Sequence, residues 1–282
     1  MRAGEVRAPE SAKLVVPGGP VRAQAAVVVP MVFALLLVAV QISYPLTSGA
    51  GRDRVTVAVV LLSAATALAH AAVTRGWRYA AGLLVILSGI GLLAEVVGIA
   101  TGFPFGCYEY AVDRIGPAVA GVPLIVPVAW TGGLYPVWVV AGLLARTPAA
   151  RVGLTAAGGV GWDLFLDPQM VADGQWRWCD AESGLPGLEQ IPLTNYAGWV
   201  AAGLLMASLL LVWERVADRR RDPRPASVAV PVAVFLWTWL GSALAHAVFL
   251  GLPASAGYGA VGMGLLGIPL LGLLARSGLS RG

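Results

Sequence analysis

Charged residues divide this chain into long apolar intervals. Between successive Asp, Glu, Lys and Arg residues lie uncharged runs from Ala23 to Gly51, Val55 to Thr74, Ile115 to Ala145, Gln190 to Trp213 and Pro225 to Ala275. A sixth, from Tyr79 to Ala94, meets Glu95 and stays apolar to Ala100. An α-helix needs about 20 apolar residues to cross the hydrocarbon core of a bilayer. The run ending at Ala275 holds two such helices around a turn at Pro253-Ala-Ser-Ala-Gly257, which makes seven spans. An eighth, Val152 to Leu166, is short and carries Asp163.

The basic residues decide in favour of the eighth. With eight spans and the N-terminus inside, the inner segments hold Arg2, Arg7, Lys13, Arg22, Arg75, Arg78, Arg146, Arg151, Arg215, Arg219, Arg220, Arg221, Arg224, Arg276 and Arg281. That is 15 of the 19 basic residues, as the positive-inside rule requires. Were the short run a re-entrant loop, Arg215 to Arg224 would fall outside. The predicted fold is therefore an all-α polytopic membrane bundle with both termini cytoplasmic. Its spans are expected at 25–44, 55–74, 79–100, 119–145, 152–167, 194–213, 227–250 and 258–275. They form one domain over 23–276, flanked by a disordered tail at 1–22 and a short tail at 277–282. The first run is too long for the apolar region of a signal peptide and reads as a retained helix. Residues 115–145 exceed one untilted helix, and Pro117, Pro123, Pro127, Pro136 and Gly132-Gly133 predict a broken helix or an entering loop followed by a span.

Composition agrees. Of the 282 residues 58% are hydrophobic and 12% charged, against about a quarter charged in soluble domains. The net charge of +4 comes from basic residues scattered over short loops of one side, which gives no basis for a nucleic-acid partner. Cys107 and Cys179 both fall outside, where a disulfide is chemically allowed; two unpaired thiols are the simpler reading.

Ten of the 15 carboxylates gather on the outer loops or outer helix halves: Asp53, Glu95, Glu109, Asp113, Asp163, Asp167, Asp173, Asp180, Glu182 and Glu189. Carboxylates barely influence topology, so the bias points to chemistry. Glu95 lies within an apolar span, where an ionisable group marks a functional site unless it serves a structural hydrogen bond or snorkels to the interface. Asp163 and Asp167 stand at i and i+4 in Trp162-Asp-Leu-Phe-Leu-Asp-Pro168 and share one helix face, with Pro168 expected to close the helix. Such a pair can divide the roles of acid and base, unless Asp167 is only a solvated helix end. Around them lie Phe103, Phe105, Tyr108, Tyr110, Trp130, Trp162, Phe165, Trp176, Trp178, Tyr196 and Trp199. An interfacial belt explains part of this set.

Other signals lead elsewhere. Gly257-Tyr-Gly-Ala-Val-Gly262 matches a dinucleotide fingerprint but opens an apolar helix with no strand before it, so it reads as small-residue helix packing continued by Gly264 and Gly267. His70 and His246 lack metal-ligand spacing, and no metal site is expected; His246 could still join the outer site. The one lysine, Lys13, lies in the tail, which excludes a Schiff base within the helices.

Glu95 with Thr101-Gly-Phe-Pro-Phe-Gly-Cys-Tyr-Glu-Tyr110 resembles a known family, as do Gly121-Val-Pro-Leu-Ile-Val-Pro-Val-Ala-Trp130 and Trp162-Asp-Leu-Phe-Leu-Asp-Pro-Gln-Met-Val171. Gly174-Gln-Trp-Arg-Trp178 and Pro192-Leu-Thr-Asn-Tyr-Ala-Gly-Trp199 complete the match. The family is that of membrane carotenoid-biosynthesis proteins, which includes carotenoid 1,2-hydratases of the bisanhydrobacterioruberin and γ-carotene type. The motifs follow in order over roughly residues 80 to 250; the segment between Trp178 and Pro192 departs from the pattern, which bears on substrate identity. The resemblance implies a multi-pass protein of the cell membrane that adds water to the terminal C1–C2 double bond of a linear carotenoid, with no cofactor. It implies Asp163 or Glu95 as proton donor and Asp167 or Glu109 as the carboxylate that orients water. Tyr108, Trp162, Trp176 and Trp178 supply faces for a cationic intermediate, and Tyr110, Phe105, Trp130, Asn195 and Tyr196 complete the substrate pocket. The polyene enters from the lipid between helices, and association with other carotenoid-biosynthesis enzymes is compatible with this setting. An end-group cyclase or isomerase, an intramembrane prenyltransferase for which Asp163-x-x-x-Asp167 is half a signature, and a carotenoid or lipid transporter are the alternatives.

Overall fold

The computed structural model describes residues 19–179, 184–217 and 228–279. The expected tail residues 1–18, the run Arg219 to Arg224, Asp180, Glu182 and the last residues 280–282 lie outside these. Among the described residues are eight long helices: α1 (Gly19–Ser43), α2 (Gly49–Arg75), α3 (Trp77–Thr101), α4 (Ile125–Leu144), α5 (Pro148–Ala172), α6 (Leu193–Ala217), α7 (Ala229–Leu244) and α8 (Pro253–Leu279). All of them except α5 are long and apolar enough to cross a membrane, and the fold is an all-α polytopic bundle.

α5 is longer than its sequence suggests. Thr147 caps it, its hydroxyl accepting from the Ala150 N–H at 3.1 Å, with Pro148 in the first turn, an arrangement that favours a sharp start. At the other end Pro168 does not close the helix, which runs on to Ala172. A proline in mid-helix leaves the carbonyl four residues back without a donor, here Leu164. The Ser255 hydroxyl supplies it at 2.7 Å from α8. The resulting 25 residues extend about 37 Å at the α-helical rise, enough for the hydrocarbon core.

α5 packs between α6 and α8, and α4 runs through the middle against α2, α3, α5 and α7. The crossing of α5 and α8 depends on small residues: a Cβ on Gly161 would lie 2.6 Å from the Gly262 carbonyl carbon. The glycine fingerprint in α8 thus serves helix packing, and Gly267 likewise faces the Trp239 ring. The expected turn at Pro253 is instead the start of α8, because proline suits a first helical turn; the chain reverses over the preceding residues, after a π-turn at Ala245–Phe249 that ends α7. Residues 115–145 form a small hairpin, β2 (Ala118–Val119) with β3 (Val122–Pro123), and then the unbroken α4.

At one end of the bundle Glu214 of α6 is clamped between Arg75 of α2 at 2.5 Å and Arg151 of α5 at 2.7 Å. At the other, the loop after α3 pairs with the loop after α5 as an antiparallel ribbon, β1 (Tyr108–Tyr110) with β4 (Trp176–Trp178). Cys107 and Cys179 close it with a disulfide, so the reading as two free thiols is overturned. The contact joins residues 72 apart in sequence through strand pairing that neither loop announces alone.

Candidate active site beneath the outer ribbon

Alternation along a strand sends successive side chains to opposite faces, and the ribbon uses it to build a site. Tyr108 opposes Trp178 and Tyr110 opposes Trp176, all four on the inner face. Between them Glu109 and Arg177 point outward, joined at 2.9 Å with side chains 63% and 81% exposed. Glu109 therefore stands apart from the other candidate acids.

The inner face roofs a cavity of about 520 Å³ within the bundle. Glu95, Phe105, Tyr108, Tyr110, Trp130, Trp162, Asp167, Trp176, Trp178 and Asn195 line it. Its walls are aromatic: Trp130 stacks on Trp199 at 4.0 Å, Trp162 meets Trp199 edge-on at 5.6 Å, and Tyr108 packs on Trp178 at 4.9 Å.

Glu95, buried in the last turns of α3, is held by three donors. Tyr108 and Tyr110 give their hydroxyl protons to Oε2 at 2.5 and 2.8 Å, and the Trp130 indole N–H reaches Oε1 at 3.3 Å. Burial first, and then the Glu95 carboxyl, push both phenols well above the ordinary tyrosine value, so both remain donors throughout the neutral range. Glu95 is thus neither snorkelling nor solvated.

Asp163 and Asp167 converge on Asn195 of α6. Its amide donates to Asp163 Oδ2 at 2.9 Å and to Asp167 Oδ2. The two carboxyls thus meet on one amide nitrogen. Asp167 is 4% exposed and lines the cavity; it is no solvated helix end, because α5 continues past it. Asp163, fully buried, sits behind the wall, and its Oδ1 takes no donor from the protein. Tyr196 lies close to both carboxyls without lining the cavity.

Two further groups of residues shape the site, the first of them including His246, which the sequence leaves as a possible member. His246, in the π-turn, and Gln169, one turn beyond Phe165, also line the cavity, with His246 Nε2 3.1 Å from Gln169 Oε1. On its other side His246 Nδ1 lies 2.8 Å from the Ser255 hydroxyl oxygen, whose proton goes to the Leu164 carbonyl. The second group anchors the outer loops. Arg114 and Gln175 both bond Asp53, each at 2.6 Å, and Arg52 pairs with Asp173 at 2.6 Å while Tyr44 donates to the same carboxylate.

Comparison with known proteins adds a chemical class. A family model described as carotenoid biosynthesis protein matches residues 55–266, which takes in the cavity wall from α2 to α8. Bisanhydrobacterioruberin hydratase of Haloarcula japonica is 35% identical over 133 residues, covering 45% of this chain and 43% of that relative. The aligned part thus spans less than half the relative's length. No solved structure matches the chain.

Proposed function

The chain belongs to the carotenoid biosynthesis protein family, and from that premise we propose that it is a hydratase of linear carotenoids, adding water to the terminal C1–C2 double bond to leave a tertiary alcohol. The observation that carries this reading is the meeting of two separately held acid groups, Asp163–Asn195–Asp167 and Glu95–Tyr108–Tyr110–Trp130, in one apolar aromatic cavity.

The chemistry needs a proton for C2, an environment for the cation this leaves on C1, and an acceptor for the proton that water loses on attacking C1. Asp167 is the donor: it faces the cavity, and the Asn195 amide that it shares with Asp163 behind it fixes its carboxyl there. This reading gives Asp167 the part that the sequence offers to Asp163 or Glu95. The faces of Trp162, Tyr108, Trp176 and Trp178 attract the cation through their π-systems. Glu95, fixed by three donors, orients the water and takes its proton, acting as general base. In sum one C–H and one C–O bond form while the π bond and one O–H bond of water break; Glu95 ends protonated and Asp167 ionised, and proton exchange with water returns both to their starting states. Glu109, ion-paired on the outer face, has no part.

Incubation of the purified protein with a linear carotenoid in heavy-oxygen water tests the reaction. The expected product gains the mass of one labelled water per processed end. A product of unchanged mass and without label would overturn the hydratase reading and indicate cyclisation or isomerisation. In cells, Asp167→Asn and Glu95→Gln should each accumulate the unhydrated precursor, whereas a transporter would leave the pigment composition unchanged.

A further inference from the structure

The cavity is not closed. Of its lining residues, four are strongly exposed: Ile42 at 54%, Leu46 at 77%, Leu244 at 58% and Phe249 at 59%. The rest are buried or half-buried. The four sit together at the facing ends of α1 and α7, with Leu46 in the turn after α1 and Phe249 in the π-turn after α7. All are apolar, and in a membrane bundle their exposed faces meet lipid. Trp237 of α7 spans this mouth, its indole N–H donating to Gln41 Oε1 of α1 at 2.8 Å. One turn further, Gly241 keeps the space beside that ring clear: a Cβ there would lie 3.4 Å from it, an ordinary contact, and anything larger would reach into the opening.

Volume sets what the cavity can hold. About 520 Å³ is the size of a pocket that encloses a drug-sized ligand, room for an end group and the first part of its chain. A linear carotenoid is far larger, so a molecule with its end at Asp167 must continue out through the mouth.

We infer that the cleft between α1 and α7 is the polyene-binding site and lateral entrance of this protein, admitting one carotenoid end from the bilayer while the remaining chain stays in lipid, with Trp237 and Gly241 setting its width. The inference rests on the carotenoid reading of the cavity and adds where the chain lies. It makes the protein a reader of end groups, largely indifferent to the far half of the molecule.

The test uses lycopene, a linear carotenoid with two ψ ends, and the full-length protein in detergent. Binding is read from the carotenoid's absorption shift, and turnover from heavy-oxygen uptake. Gly241→Phe and Ser242→Leu, which fill the mouth from α7, should weaken binding and lower kcat/KM by roughly tenfold or more with kcat little changed. Val261→Phe, at a 71% exposed position on α8 outside the cavity, should leave both as in the wild type. If either mouth variant is monodisperse and binds lycopene like the wild type, the entrance is wrong. If the wild type binds lycopene, the mouth variants do not, and no label is incorporated by any of them, the cleft stands and the hydratase reading falls.

Discussion

Ser255 gives its hydroxyl proton to the Leu164 carbonyl at 2.7 Å, where a helical N–H would be found were residue 168 not proline. This bond lets α5 carry Asp163 and Asp167 in mid-helix instead of at a frayed end. Ser255→Ala leaves a buried carbonyl unsatisfied, at a cost of about 1–3 kcal/mol. Pro168→Ala restores a backbone donor for the same carbonyl, so in that background Ser255→Ala should cost less. Thermal unfolding of the four proteins of this cycle in detergent checks it; additive losses would show that the two residues do not share the Leu164 oxygen.

The acid pair makes a graded prediction. Asp167→Asn removes the proposed proton donor from the cavity wall and should lower kcat by about 10²–10⁴-fold, the usual range for a general acid. Asp163→Asn, behind the wall, should lower it by less, because the introduced amide could still bond Asn195 and Asp167. Single-turnover rates of heavy-oxygen uptake distinguish them, and a larger loss for Asp163→Asn would return the donor's role to that residue.

How legible this site is in the sequence depends on the distance over which each signal acts. Glu95 and the i, i+4 pair Asp163 and Asp167 stand out because ionisable groups inside apolar runs are costly and their helical spacing is fixed. Asn195 carries no such signal, and only the family resemblance points to it. Glu109 looks like an equal member of the acid set, yet alternation along Tyr108-Glu-Tyr110 turns it outward once the stretch is a strand. Pro168 signals a helix end by local rules, and only Ser255, 91 residues from the carbonyl it serves, overrules them. The mouth between α1 and α7 leaves no local trace either: Gln41 and Trp237 are 196 residues apart and look like ordinary interfacial residues.

The phenols of Tyr108 and Tyr110 give a prediction with a pH direction. Each is held in its protonated form, its folded value raised by burial and then by Glu95. The stability they contribute is fully present below the unfolded tyrosine value of about 10 and is lost as pH rises above it. Detergent-solubilised protein should therefore lose thermal stability above about pH 10, less steeply when Tyr108 and Tyr110 are both replaced by Phe. Each single Tyr→Phe variant should also lower kcat at neutral pH by roughly 10- to 150-fold, the equivalent of one hydrogen bond of about 1.5–3 kcal/mol to a charged group. Glu109→Gln, on the same strand, should leave kcat unchanged.

The disulfide ties this arrangement together. Cys107 immediately precedes Tyr108 and Cys179 immediately follows Trp178, and the Cys179 N–H also bonds the Cys107 carbonyl at 2.8 Å. The cross-link thus closes the ribbon at the point where its two inner aromatic rows begin. Joining residues 72 apart restricts the unfolded chain, and loss of such a bond costs about 2–4 kcal/mol. The effect on function should exceed the effect on folding, because α5 and α8 pack without the ribbon while Tyr108 reaches Glu95 only from within it. Cys107→Ser with Cys179→Ser should therefore keep a monodisperse helical protein with a lower unfolding temperature and a kcat reduced at least as far as in Tyr108→Phe. If the double variant unfolds at a lower temperature but hydrates at the wild-type rate, the ribbon holds its register without the cross-link, and strand pairing with the Asp53–Arg114 and Asp173–Arg52 anchors suffices to position Tyr108.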